Sequence, residues 1–282
     1  MACLHPMPAW RTAGGVSLRE PVDAEKITGG LRLPCGRCLG CRMDKARDWA
    51  VRCQLELKEH TEYCWTTLTY SDDHLPLTLR KDHLSAWLKR LRARHPSRTI
   101  RFFASGEYGE RTHRPHYHSI LFGLPDDPSI QETWPFGMVR VDPISPAAIA
   151  YVAGYTSKKV GWREEPRERV DPETGECYEW QPPFLQMSRR PGIGGAAREH
   201  WKSWRQSCYW HGRQVPVPRF LHEAYKLHAS PLQLQQLQEE KDAKSQQVPV
   251  GFHLDYNATQ LHAKAVHALR KHQHQSEKRT QL

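Results

Sequence analysis

Arg-Pro-His-Tyr-His-Ser-Ile-Leu-Phe, residues 114–122, is the stretch from which the fold is read. It has the pattern of a strand, whose successive side chains alternate between faces, so His116 and His118 point one way and Tyr117 the other. Two imidazoles on one face can share a metal ion. A second strand pattern, Thr99 to Ser105, precedes it across a short polar loop, and so short a connection makes the pair an antiparallel hairpin. The hairpin returns Glu107 toward His116 and makes it the first choice of third ligand. Glu110 and His113 stand as substitutes, because pairing register is not legible in a sequence. Two histidines and one carboxylate suit Mg2+ or Mn2+ acting as a Lewis acid on a phosphate. A non-haem iron site uses the same set, but nothing in the chain suggests a pocket for an oxidisable small substrate.

Working outward, Met43 to Glu59 reads as an amphipathic helix, with Ala46, Trp49, Ala50, Cys53 and Leu57 at helical spacing. Glu62 to Tyr70 reads as a strand rich in Tyr, Trp and Thr, ended by Ser71-Asp72-Asp73. Asp82 is placed to cap the next helix, in which Leu84, Trp87, Leu88 and Leu91 form an apolar stripe. Lys89, Arg90, Arg92 and Arg94 on the rest of that helix read either as a DNA-backbone face or as a solvated one. Pro143 to Lys159 has a helical pattern capped by Ser145, and it stacks Tyr151 and Tyr155, four apart, on one face. Gly154 within it costs about 1 kcal/mol relative to Ala, which a close approach of DNA, a strand or a packed side chain would explain. Residues 11–34 read as a loop or extended lead-in, the charged, Pro-rich stretch after Glu164 up to Pro183 as a flexible insertion, and the chain beyond about Ser230 as a polar tail, mobile or partly helical.

The 282 residues carry 41 Lys and Arg against 31 Asp and Glu, a net charge of +10 that suits a polyanion such as nucleic acid. Ten Trp and ten Tyr add stacking faces for unpaired bases, although most such rings belong to a core. No apolar run reaches signal-peptide or membrane-spanning length, so a soluble intracellular protein with no membrane partner is expected. In a reducing compartment the eight cysteines are not a disulfide framework. Cys35, Cys38 and Cys41 form a C-x2-C-x2-C cluster for structural Zn2+, with Cys3 as first and His5 as second choice of fourth ligand. An iron–sulfur run would need another Cys where Lys45 stands. Cys53, Cys64, Cys177 and Cys208 read as ordinary thiols.

Six segments in order, Pro34–Cys41, Thr67–Tyr70, Gly106–Gly109, the His116 motif, Tyr151–Lys159 and Ser188–Gly194, resemble the HUH superfamily of single-strand DNA nickases. The likeness is greatest to the rolling-circle replication initiators of gokushovirus-type microviruses. The resemblance implies an α+β fold, an HUH endonuclease core with a mostly antiparallel sheet and flanking helices. It also implies a ligand-type acidic residue in Gly106–Gly109, DNA contact at Thr67 and Thr69, and phosphate contact at Arg189 and Arg190. In many HUH nickases the nucleophile lies in Tyr-x-x-Lys, which Tyr155 and Lys158 match; Tyr151 becomes the second nucleophile.

On this reading residues 1–45 form a cysteine-rich module, 46–229 the endonuclease domain and 230–282 a basic, polar tail. The expected function is origin nicking and rejoining through a 5' phosphotyrosine link in a bacteriophage genome, in the cytoplasm of the bacterial host. The chain has no Gly-x-x-x-x-Gly-Lys-[Ser/Thr] motif, so unwinding and copying fall to a host helicase and DNA polymerase. The rivals are a non-catalytic, zinc-stabilised nucleic-acid-binding protein and a plasmid initiator, relaxase or transposase of the same superfamily.

Overall fold

A computed structural model describes residues 3–20, 22, 26–109, 111–145, 148–150, 152–154, 167–171, 173–210 and 212–246. The chain divides into two units, residues 1–45 with 238–282, and residues 46–237. In the first unit β1 (Met7–Thr12), β2 (Gly15–Ser17) and β3 (Lys26–Leu33) form an antiparallel sheet of order β2-β1-β3. The expected lead-in is therefore partly a sheet. Its composition hid this, because glycine serves the turn: Thr12 pairs with Gly15, whose φ of 121° suits glycine alone.

The remaining elements follow as α1 (Leu39–Leu57), β4 (Tyr63–Thr69), α2 (Lys81–Arg94), β5 (Arg101–Tyr108), β6 (Pro115–Phe122), α3 (Ser129–Glu132), β7 (Val139–Asp142), β8 (Glu168–Val170), β9 (Cys177–Glu179) and β10 (Phe184–Met187). After a 3-10 stretch, Ala196–Trp204, come β11 (Ser207–Trp210), β12 (Arg213–Pro216), α4 (Arg219–His228) and α5 (Pro231–Gln246). The sheet at the centre of the second unit has the order β10-β5-β6-β4-β7 and is antiparallel throughout. The structure is thus α+β with a mostly antiparallel sheet and flanking helices.

Alternation along the strands gives this sheet two different faces. Cys64, Leu68, Tyr117, Leu121, Phe102 and Ala104 turn to one side and pack with the α2 stripe Leu84, Trp87, Leu88 and Leu91. Burying that stripe holds α2 down, and the Trp87 indole N–H is satisfied by donating to the Ile130 carbonyl. Phe103, Ile120 and Phe122 turn to the other side, where they meet Ala50 and Cys53 of α1 and Ile149, Val152 and Ala153.

Three expectations for the helices change. Asp82 does not cap α2: the N-cap position is Arg80, and the Asp82 carboxylate forms a paired contact with its guanidinium at 3.0 and 2.7 Å. That hydrogen-bonded pairing draws the Asp82 carboxyl down to about 2. The cations of α2 are not simply solvated, since Arg90 donates to the Thr133 carbonyl, Arg92 to that of Ile100, and Arg94 pairs with Glu132, while Lys89 is exposed. Ser145 does act as a cap, accepting from the Ala148 N–H at 3.0 Å, while among the described residues a Cβ at Gly154 would meet nothing within 4 Å.

Most of the expected flexible insertion, where described, is a hairpin of β8 and β9. Asp171 accepts from the Glu173 N–H and the Thr174 hydroxyl to form its turn, and Trp180 stacks on Tyr108 at 5.6 Å. Beyond Ser230, α5 is helical to Gln246. Among the described residues no helix is long and apolar enough to cross a membrane.

Gly137 lets residues 136–138 lie against the end of β4. A Cβ there would sit 2.4 Å from the Thr69 carbonyl oxygen and 2.6 Å from the Ser71 nitrogen, both backbone atoms that cannot swing aside. Gly137→Ala is expected to destabilise the protein by about 1–3 kcal/mol, as overpacking does, read as a lower urea midpoint at unchanged m-value.

Candidate functional site

Register builds the site. In the β5–β6 pairing Glu107 faces His116 and Ser105 faces His118, while in β4–β6 Thr69 faces His116 and Thr67 faces His118. Residues directly opposite share a face, so Glu107 meets both histidines from the neighbouring strand. One carboxylate oxygen, Glu107 Oε1, lies 2.9 Å from His116 Nε2 and 3.0 Å from His118 Nε2. The three donor atoms form a group able to hold a metal ion. Of the substitutes for Glu107, His113 is exposed in the hairpin turn, and Glu110 lies outside the described residues.

The outer ring nitrogens are tied down. His116 Nδ1 lies 3.1 Å from the Arg114 carbonyl, which would take the ring proton and leave Nε2 as a ligand nitrogen once a cation replaced the Nε2–Glu107 hydrogen bond. His118 Nδ1 is 3.0 Å from the Thr67 hydroxyl, which orients the second ring the same way. Burial opposes ionisation of Glu107, but hydrogen bonds from His116 and His118 outweigh it and hold the carboxyl at about 2. The site therefore presents a charged carboxylate and two oriented imidazoles, a mixed oxygen and nitrogen donor set that fits a divalent cation.

Thr67 has a use the sequence did not disclose: its hydroxyl orients His118. Thr69 is exposed beside His116, with its hydroxyl bound to the Met138 carbonyl at 3.1 Å. Arg189 and Arg190 are also exposed, but the structure does not bring them to the metal group. Their loop is moored at the Arg101 end of β5, six residues from Glu107 and so about 20 Å along the strand. There the buried Glu56 carboxylate accepts from Arg101 and from the Gly194 N–H, and Arg52 donates to the Ile193 carbonyl at 2.9 Å. Tyr151, Tyr155 and Lys158 lie outside the described residues, whereas Ile149, Val152 and Ala153 pack on the sheet face that carries the histidines.

In the first unit Cys3 joins Cys35, Cys38 and Cys41 in a second group able to hold a metal ion, and His5 is exposed. The Cys3–Cys38 and Cys35–Cys41 sulfur separations are 3.8 and 4.0 Å, against an edge of about 3.8 Å for a tetrahedron with Zn–S bonds of about 2.3 Å. Backbone N–H groups of Leu4, Cys35 and Cys38 donate to these sulfurs. Burial disfavours the Cys38 thiolate, yet backbone and thiol hydrogen bonds prevail and lower it to about 6, a ready ligand.

Residues 63–160 match the family model of the ORF2-type replication-associated protein. Over those residues the chain is similar to that family. It is 32% identical over 211 residues to replication-associated protein ORF2 of Spiroplasma virus 4, covering 61% of this chain and 66% of that one, just under two thirds of its length. It is 25% identical to replication-associated protein VP4 of Bdellovibrio phage phiMH2K over 80% of this chain and 78% of the other. With replication-associated protein ORF4 of Chlamydia phage 1 it shares 34% identity over 45% of this chain and 38% of that protein. No solved structure matches. The segment matched by the family takes in Thr67, Thr69, Glu107, His116 and His118 and the sequence positions of Tyr151, Tyr155 and Lys158; it leaves out the four cysteines and Arg189 and Arg190.

The Thr67 anchor and the ring it holds can be weighed separately. Thr67→Val is expected to weaken Mn2+ binding about tenfold, the usual cost of losing an orienting partner, and His118→Ala to weaken it further, both read by calorimetric titration.

Proposed function

We propose that this protein is a rolling-circle initiator that nicks single-stranded origin DNA and later rejoins it. The observation that carries the reading is the meeting of Glu107, His116 and His118 within 3.0 Å on one sheet face, in a chain whose relatives are replication-associated proteins of phages. In this reading the five-stranded antiparallel sheet is the HUH endonuclease core, preceded by a cysteine module at residues 1–45 and followed by a tail at 230–282.

Glu107, His116 and His118 would hold Mg2+ or Mn2+, which withdraws charge from the scissile phosphate. The chain's own part is nucleophilic. A phenol with an ordinary pKa near 10 is mostly neutral at pH 7, so Lys158, three residues after Tyr155, favours the phenolate or holds the phosphate. The Tyr155 oxygen attacks phosphorus, the bond to the 3' oxygen breaks, and that oxygen leaves as a free 3' hydroxyl while the 5' phosphate stays on tyrosine. The phosphodiester energy is kept in the new link, so resealing needs no ATP. Tyr151 cleaves the newly copied origin while Tyr155 holds the old end. Thr67 orients His118, Thr69 contacts the strand beside the ion's seat, and Arg189 and Arg190 contact phosphates remote from the cut. Unwinding and copying come from a host helicase and DNA polymerase in the bacterial cytoplasm. Cys3, Cys35, Cys38 and Cys41 hold one structural Zn2+.

Labelled single strands spanning the cognate origin, incubated with the protein and Mn2+ or Mg2+, should yield a covalent adduct on a denaturing gel, mapped to Tyr155 by peptide mass. Tyr155→Phe and His116→Ala should abolish it, and Tyr151→Phe should leave the first cut but stop repeated turnover. Binding with no adduct or cleavage on any origin strand would overturn the nickase reading in favour of a non-catalytic binding protein. The purified chain should also carry one equivalent of zinc by atomic emission. Cys38→Ser should lose it and expose residues 1–45 to limited proteolysis.

A further inference from the structure

We propose that the β7 edge of the sheet seats the nucleotide adjoining the scissile phosphate, its base lying on Met138 and its phosphate on Arg140. The proposal rests on the nickase reading and adds to it a place for the DNA. It follows from the cross-strand rows. Thr67 faces Arg140 in the β4–β7 pairing, so the row of Ser105 and His118 runs on to Arg140. One step along, the Thr69 N–H donates to the Met138 carbonyl at 2.9 Å, which extends the row of Glu107 and His116 to Met138. Val139 and Val141 alternate with them and pack on the α2 side, as they must if Met138 and Arg140 stand on the histidine face. Two strand spacings separate Met138 from His116, about 10 Å.

Both side chains are open to solvent. Met138 is 76% exposed and the Arg140 side chain 79%. An exposed methionine is unremarked on a loose loop, but this one stands on a backbone pinned from both sides. Its carbonyl accepts from the Thr69 N–H and hydroxyl, Val139 N–H donates to Gln131 Oε1 at 2.8 Å, and Gln131 Nε2 donates to the Gly137 carbonyl at 3.1 Å. A polarizable, adaptable thioether on a backbone held this way offers a sequence-tolerant contact to the ring of an unpaired base. Among the described residues Arg140 meets one oxygen of Asp142, at 3.0 and 2.8 Å through Nε and Nη2. An exposed pair of this kind is worth little and leaves further guanidinium donors for a phosphate. The charge favours a nucleic acid as occupant, since the chain carries +10 overall and the seat is continuous with the metal group.

The test uses the full chain, a fluorescein-labelled oligothymidylate and Mn2+, with anisotropy read across a series of NaCl concentrations. Met138→Ala should raise Kd roughly tenfold, the scale of one lost base contact, and Arg140→Ala should lower the salt slope by about one. Mn2+ affinity, read by calorimetry, should stay at the parent value in both, which separates loss of the seat from damage to the site. Parental Kd and salt slope in both variants overturn the seat, and leave β7 as an edge for a protein partner. Failure is assignable: if the parent forms the tyrosine adduct and both variants bind as it does, the seat alone is wrong. If the parent binds without forming an adduct while the variants bind more weakly, the seat stands and the nickase reading falls.

Discussion

The pairing of Glu107 with His116 across β5 and β6 is the contact on which the rest of the site depends. A shift of one residue would turn Glu107 to the α2 side and leave two imidazoles without a carboxylate. Alternation that feeds apolar residues into both cores holds the register in place. Phe103 and Ile120 on one face, and Phe102 and Leu121 on the other, would all change sides with such a slip. Burial of large apolar side chains on both sides thus fixes the position of three polar ones.

The same alternation divides labour between the faces. On the α2 side Tyr70 and Tyr117 share a hydrogen bond of 2.8 Å, and Tyr117 also bonds the Arg80 backbone, so these phenols are structural; burial first, then the neighbouring tyrosine, pushes Tyr70 far above the ordinary range. A phenol in that setting cannot serve as a nucleophile at neutral pH. On the other face the apolar packing of the described residues stops short of the hairpin end, and His116, Thr69 and Met138 reach the surface in one row. The metal group and an open strip of sheet are therefore consequences of one boundary in the packing.

The cysteine unit works on another principle. Where side-chain burial is described in that unit, Leu4, Ala9 and Leu39 are buried apolar side chains. Four sulfurs gathered within 4.8 Å, with backbone N–H groups already aimed at them, would add a constraint once a metal is bound, because folding and metal binding then share one free energy.

Periodicity by itself determined the α2 stripe, the β5–β6 hairpin, the shared face of His116 and His118 and the cysteine cluster, since each depends on neighbours within a few positions. The grouping of Glu107 with both histidines, and of Cys3 with the later cysteines, was legible as a choice among alternatives. Distance between the partners along the chain left that choice to the fold. What only the tertiary structure decided were contacts set by register and packing: Thr67 behind His118, Asp82 on Arg80 rather than on the helix end, Arg90 and Arg92 on carbonyls, the sheet hidden in the Gly-rich lead-in, and Met138 in the row of His116. Their physical reason is common to all of them. A side chain's partner is fixed by which residue the pairing sets opposite it, and pairing is chosen by the burial of residues elsewhere in the sheet.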